Sequence, residues 1–308
     1  MIIGAGLVMA ATLPLIGLAP AIAPFALALV LYGLSNGALD LASNAHAAGV
    51  ERRLRRQLMS GFHAMFSAGA IAGAGTAAVL AGLEVPIETQ AFVVGTLLGL
   101  GVVGVAVVIA RSPAAEREEV PGGLSWPRGP LLGLAALAFC VLLAEDAVFD
   151  WSALYLSSVA GAAPALAAIG LALFQGTMMI GRLFGDGLAE RIPPDRLVRA
   201  GAIAGIGGLG LAILVPTPIT TLAGYAVLGL GLAVSFPLAM SAAARLPSIS
   251  TPMALGAVTA AGYSGIMGGP PIIGFVAEAT SLRVGLGVVL VCLVGAAFLA
   301  ANLRRRVS

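Results

Sequence analysis

The chain has no lysine, and its sixteen arginines and fourteen acidic residues together fill only 10% of 308 positions. A soluble protein of this length would fold as about two domains and carry about 25% charged residues to keep its surface in water. So few charges exclude that architecture. A nucleic-acid binder is excluded as well: the formal net charge is +2, aromatics make up 6%, and no basic stripe has aromatics interleaved. Cysteine is nearly absent. Cys140 and Cys292 each sit in an apolar run with no second ligand nearby, so they read as small buried hydrophobes, not as a disulfide or metal site. No segment alternates with period two, which excludes a closed β-barrel. His-x-x-x-His, Cys-pair, Gly-Lys-Ser/Thr and Ser-His-Asp arrangements are also missing, so the sequence points to no enzyme, no metal and no cofactor. The start, Met1-Ile2-Ile3-Gly4, lacks the basic region of a cleaved signal and reads as entering a first helix directly.

What is present is apolar. Hydrophobic residues reach 59% over the whole length, with a mean hydropathy of +1.05, so the solvent of this chain is mostly lipid. Crossing ~30 Å of hydrocarbon takes about 20 helical residues. Ten segments fit: Ile2–Leu18, Phe25–Val50, Met59–Leu80, Ala91–Ala110, Pro130–Leu156, Pro164–Leu183, Leu197–Val215, Thr220–Ala244, Met253–Ala277 and Val284–Leu303. The reading is an all-α integral membrane protein, a bundle of about ten transmembrane helices. The 42 glycines and 18 prolines imply close helix approach and kinks, and runs such as Gly73-Ala74-Gly75 read as packing surfaces.

If every span is real, fifteen arginines fall on one side of the membrane and only Arg283 on the other. The positive-inside rule then puts the even-numbered connections and both termini in the cytoplasm, at the cell (inner) membrane. The polar stretch from Arg111 to Arg128 divides the chain into an incomplete N-terminal half of four spans (1–112), a cytoplasmic linker (113–128) and a C-terminal half of six spans (129–308). An internal echo at an offset of 196 residues crosses this divide, pairing Pro20 with Pro216, Gly33 with Gly229, Gly69 with Gly265 and Gly73 with Gly269. Parallel repeats of this kind are one way transporters are built.

Ionisable groups inside spans cost roughly 2.5–3.5 kcal/mol each and are functional candidates by default. Tyr32, Asn36, Asp40 and Asn44 stand four residues apart on the second segment, so they share one helical face that must line a cavity or meet polar partners. His63 on the third segment lies at a depth comparable to Asn44, close enough in level for Asp40 and His63 to share or relay a proton. On the fifth segment Glu145, Asp146 and Asp150 crowd three acids into six residues. Glu145 lies deepest, roughly 22 Å from Pro130, and is a second proton carrier, while Asp150 marks the helix mouth or an outer gate. Gln175 and Tyr263, with Ser264, are cavity hydrogen-bonders or helix contacts. The run Gly181-Arg182-Leu183-Phe184-Gly185-Asp186, with Glu190 and Arg191 beyond, ends the sixth segment at the cytoplasmic face. There Arg182, Asp186 and Arg191 suit a gate in which charges and helix ends pair in one of two positions.

These stretches resemble the major facilitator superfamily. The resemblance is carried by Gly37–Ala45 running into Glu51-Arg52-Arg53, by Met59–His63 and Phe66–Gly69, by Glu145–Leu156 with Asp150-Trp151-Ser152, and by Gly181–Arg191. It covers essentially the whole chain and is closest to the fucose–proton symporter-like branch. It implies two helical halves around a central cavity, working by alternating access. Asp40 and Asn44 match that branch's acid-x-x-x-Asn pattern, His63 sits where a polar residue of the next helix reaches the same cavity, and Gly181–Arg191 resembles the second-half gating loop. A four-plus-six division implies that the first two family helices are missing, along with the first-half gating loop and the first-helix carboxylate. The antiporter signature is absent from Ser67–Ala78, whereas Gly268-Gly269-Pro270-Pro271 stands on the ninth segment.

The expectation is a secondary transporter, a proton-coupled symporter of a small polar, sugar-like solute. Asp40, His63 and Glu145 would change protonation, and Asn36, Asn44, Tyr32, Gln175 and Tyr263 would contact solute. Its partners are the solute, protons and the bilayer, with no nucleic acid. The alternatives are a drug–proton antiporter and a truncated, non-transporting membrane protein.

Overall fold

The computed structural model describes residues 1–110, 129–247 and 249–304. The expected linker 113–128, with Arg117 and Arg128, and also Arg111, Arg305 and Arg306, lie outside the described residues. Among the described residues there are helices and no strand, as the apolar runs require. The helices are α1 (Ile2–Gly17), α2 (Ile22–Leu54), α3 (Met59–Gly82), α4 (Ile87–Ala110), α5 (Pro130–Ser158), α6 (Pro164–Arg191), α7 (Pro194–Leu214), α8 (Pro218–Leu232), α9 (Ser235–Ala243), α10 (Thr251–Ala279), α11 (Leu282–Gly285) and α12 (Gly287–Leu299). Helices α8 and α9 are two parts of one span broken at Ala233–Val234, and α11 and α12 are likewise one span, so the helices make ten segments. Six of them are long and apolar enough to cross a membrane on composition alone.

Boundaries move outward from the apolar runs where charged residues are compatible with helix. Helix α2 continues to Leu54, and α6 runs eight residues past Leu183 to Arg191. This corrects the position of Gly181–Asp186, which lies inside α6 and not at its end. Several starts are set by proline in the first turn (α5, α6, α7, α8 and α10), where its missing N–H costs nothing. Thr217 adds a capping box with Thr220 at the start of α8. At the other end of α7, Arg283 donates from Nε (3.1 Å) and Nη2 (2.6 Å) to the Ile213 carbonyl, placing a cation at the negative pole of that helix.

The described chain forms two compact units. The first holds Met1–Gly49 and the chain from Ala68 to the end of α4. Within it α1 packs on α4. A Cβ on Gly95 would stand 2.8 Å from the Ala10 carbonyl oxygen, so only glycine allows that approach.

The second unit holds Val50–Ser67 and everything from α5 onward. Its centre is α5 with α8–α9, the most buried spans. Helices α7 and α8 meet backbone to backbone, Gly201 against Gly231 and Gly208 against Gly224. Helix α10 lies against α5 through Gly265, whose added Cβ would reach 2.5 Å from the Phe139 carbonyl oxygen, and through Gly269, 3.0 Å from Leu143 Cγ. Gly229 meets the Phe174 carbonyl of α6. These three are second members of the 196-residue echo. Among the described residues their counterparts Gly33, Gly69 and Gly73 have no such neighbour within 4 Å, nor does Gly75. Cys140 on α5 and Cys292 on α12 are free thiols, the first half-buried and the second buried, on helices that pack side by side.

Candidate functional site

The second unit concentrates its polar groups where α3 begins. Helix α2 stops at Leu54, and Arg55 takes a left-handed conformation (φ 51°) that reverses the chain into α3. A new helix exposes four unsatisfied N–H groups, and the position before Met59 is Leu58, which has no capping oxygen. Two carboxylates supply what is missing. Glu51, the buried acid in the last turn of α2, accepts through Oε1 from the N–H of Leu58 (2.8 Å) and Met59 (3.0 Å). Asp186 of α6 accepts through Oδ1 from Ser60 N–H (3.0 Å) and through Oδ2 from Gly61 N–H (2.7 Å). Gly185 faces Ser60, where a Cβ would stand 2.9 Å from Ser60 Oγ and 2.5 Å from Val234 Cγ1.

The latch continues into α9 and α10. The other oxygen of Glu51 accepts from Ser241 Oγ (2.7 Å) and from Arg245 Nη2 (3.3 Å). With the Gln57 amide turned so that its oxygen faces Arg245, that oxygen accepts from both Nη atoms, at 2.8 and 2.9 Å. Arg52 donates to Thr251 Oγ1 at 2.8 Å, and Arg56 pairs with Glu190 at 3.3 Å on the surface. The end of α2 and the start of α3 are thus tied to α6, α9 and α10 by charge-assisted bonds, each shared between different elements.

Deeper along α3 lies a second network, centred on Arg182. Its guanidinium is buried and reaches Ser67 Oγ of α3 (Nη1, 2.8 Å), the Ala233 carbonyl at the α8–α9 break (Nε, 3.4 Å) and both carboxylate oxygens of Glu145 on α5 (Nη2, 3.3 Å each). The side chains of Arg182 and Glu145 are only 6% and 15% exposed. A pair this deep persists only while both charges stay matched. His63, one turn before Ser67, donates from Nδ1 to the Met59 carbonyl (2.9 Å), which fixes its tautomer, and its ring lies edge-on to Phe236 at 5.6 Å. Gln175 stands two turns before Arg182 on the same face of α6 and is half-buried.

In the first unit, the stripe on α2 has Tyr32 half-buried, Asn36 exposed, Asp40 half-buried and Asn44 buried. Asn44 Nδ2 donates to Asp40 Oδ1 and to the Asp40 carbonyl, both at 3.0 Å. Asp40 and His63 belong to different units.

Of the residues expected from sequence, Arg182, Glu145 and Asp186 come into these two networks, and His63 stands beside them. Asp150 is exposed near the far end of α5 and Arg191 is exposed where α6 ends, and neither joins them among the described residues; Tyr263 is half-buried on α10. Glu51, Ser67, Ser241 and Arg245 belong to these networks although the sequence pattern does not mark them as site residues. The signal for Glu51 was available: a helix start without its own capping side chain needs a foreign acceptor, and an acid eight residues upstream can supply it.

Among the described residues the spans are all helical, seamed by glycine and tied together by charged groups at helix ends. The chain belongs to the major facilitator superfamily: the Major Facilitator Superfamily model matches residues 1–249. It is 32% identical to an uncharacterized MFS-type transporter of Yersinia pestis over 92% of this chain and 74% of that protein. With the membrane protein MosC of Rhizobium meliloti it shares 30% identity over 95% of this chain and 72% of that one. Among solved structures, the E. coli fucose:proton symporter FucP superposes with a TM-score of 0.80 at 16% identity, over 99% of this chain and 82% of that one. A bacterial homologue of the iron transporter ferroportin, in an outward-facing state, superposes at 0.75 and 15% identity, over 98% and 82%. These likenesses establish the fold. The chain is a multi-pass membrane transporter of this superfamily.

Proposed function

We propose that the chain carries a small polar, sugar-like solute across the inner membrane together with protons, by alternating access. The observation that carries this reading is the Arg182 network. Glu145 is the only carboxylate Arg182 pairs with among the described residues, and the same guanidinium holds Ser67 of α3. Protonating Glu145 removes the ion pair and leaves Arg182 to re-partner, so proton binding on α5 changes how α3 is held. His63 shares α3 with Ser67 and would sense the same guanidinium charge.

Asp40 supplies the solute-linked half of the scheme. While ionised, it engages the Asn44 amide; once protonated, it releases that amide to a solute hydroxyl, with Asn36 and Tyr32 along the same stripe. The Glu51–Asp186 latch serves as the gate, with Arg182 behind it. Gln175 and Tyr263 complete the solute contacts, and Arg191 and Asp150 act at the two ends of the path. The arginine-rich connections and both termini face the cytoplasm, and residues 1–112 and 129–308 act as the two moving halves joined by 113–128. The sugar assignment takes its direction from the named function of the symporter FucP.

Proteoliposomes loaded with a pH-sensitive dye and offered L-fucose, D-glucose and D-galactose in turn test this. One sugar is expected to drive internal acidification in the parent, and Asp40→Asn to abolish it. Acidification that persists unchanged in Asp40→Asn would remove Asp40 from the scheme. No acidification with any sugar would remove the sugar assignment.

A further inference from the structure

Where α6 turns into α7, a cavity of about 670 Å³ is lined by Ala189–Arg196 and Arg304. Five of these side chains are charged, and the two acids are already engaged. Glu190 pairs with Arg56 at 3.3 Å, and Asp195 pairs with Arg304 at 3.1 Å. Arg191 and Arg196 remain, both exposed and neither with a carboxylate partner among the described residues. The backbone offers an anion little here, because Pro193 and Pro194 have no N–H to donate. Any anion bound must be held by guanidinium groups, whose forked donors suit phosphate oxygens.

A separate observation concerns α6 and its end. Ile180, Phe184 and Leu188 on α6 and Ile192 just after it are all exposed and follow one another at four-residue intervals up to the cavity. This row climbs about 18 Å at 1.5 Å per residue, slightly more than the ~15 Å depth of one hydrocarbon leaflet. A basic cavity at the head of an apolar row one leaflet deep has the two-part form of a phospholipid.

We infer that Arg191 and Arg196 bind the phosphodiester of an anionic glycerophospholipid whose acyl chain lies along Ile180, Phe184, Leu188 and Ile192. An unbalanced pair of arginines selects net negative charge, and a zwitterionic lipid would bring a cation to the same place.

The test is lipid retention by the purified full-length chain, delipidated and then titrated with phosphatidylglycerol or phosphatidylcholine, read by native mass spectrometry and thermal unfolding. Phosphatidylglycerol is expected to bind tighter and to raise the unfolding temperature. R191Q/R196Q is expected to lose roughly 30-fold in that affinity, from two arginines near an anionic surface. Phe184→Ser with Leu188→Ser should weaken the same lipid while leaving both arginines in place. Equal retention of the two lipids by the parent, or unchanged retention in R191Q/R196Q, would overturn the site. Sn-glycerol 3-phosphate, the headgroup chemistry without chains, separates the sources: protection equal to that of the lipid would overturn the lipid assignment in favour of a free phosphate.

Discussion

Glu51 and Asp186 divide the amino end of α3 between them. Glu51 takes the N–H groups of Leu58 and Met59, and Asp186 takes those of Ser60 and Gly61, so all four donors of a helix start are met by two side chains 135 positions apart. Because both carboxylates act on one helix terminus, removing them is expected to be non-additive. Glu51→Gln and Asp186→Asn should each lower stability in detergent, and the double variant should show a coupling of about 0.5–3 kcal/mol. Thermal or denaturant unfolding of the four proteins measures it; strict additivity would mean that the two acids cap independently.

Gly185 and Gly187 are two residues apart on α6, but only Gly185 is pressed against another element, with Val234 Cγ1 at 2.5 Å and Ser60 Oγ at 2.9 Å from the position of a Cβ. Gly185→Ala is expected to cost about 1–3 kcal/mol through overpacking and to loosen the start of α3. Gly187→Ala, which meets nothing within 4 Å, should be neutral or stabilising by up to about 1 kcal/mol. Comparing the two unfolding curves checks this, and equal effects would show that the contact at Gly185 is not tight.

The 196-residue echo gives a matched pair. Gly265→Val drives a side chain into the Phe139 carbonyl and is expected to lower the unfolding temperature clearly. Gly69→Val meets nothing within 4 Å among the described residues and is expected to change it little. A large effect at Gly69 would mean that this face is packed after all.

Truncating Arg182 leaves Glu145 charged and deeply set without its partner, a loss of about 3–5 kcal/mol for a buried pair. Arg182→Met should therefore be severely destabilised, and Arg182→Met with Glu145→Gln should recover much of the loss. Stability measured in the single and double variants decides it; no recovery would place the cost in lost packing and in the bonds to Ser67 and Ala233 instead.

The ten segments were legible because lipid makes hydropathy nearly a structural rule. Helix ends were less legible. Apolar runs stop at Leu183 and Val50, yet backbone hydrogen bonding carries α6 to Arg191 and α2 to Leu54, since charged side chains are no obstacle to a helix that is leaving the membrane. The same displacement hid the meeting of Glu145 with Arg182. Counting inward from segment ends put one towards the outer side and the other at the cytoplasmic face, whereas each lies well inside its helix. Helix partners were illegible for a different reason: hydropathy identifies spans but not which span packs on which, so the apolar runs do not tell that α5 lies beside α12. Glycine content likewise foretold close approach without telling Gly265, which meets α5, from Gly73, which has no neighbour within 4 Å among the described residues.

The central claim is that the charge on Glu145 couples protons to movement, and Glu145→Gln tests it most directly. The substitution keeps the side chain's shape, fixes it in the neutral form and leaves an amide oxygen to accept from Arg182, which also keeps its bonds to Ser67 and the Ala233 carbonyl. In proteoliposomes, with whichever of L-fucose, D-glucose or D-galactose acidifies the parent, Glu145→Gln is expected to exchange labelled sugar across the membrane while losing sugar-driven proton uptake. Proton uptake at the parent's level in Glu145→Gln would contradict the account.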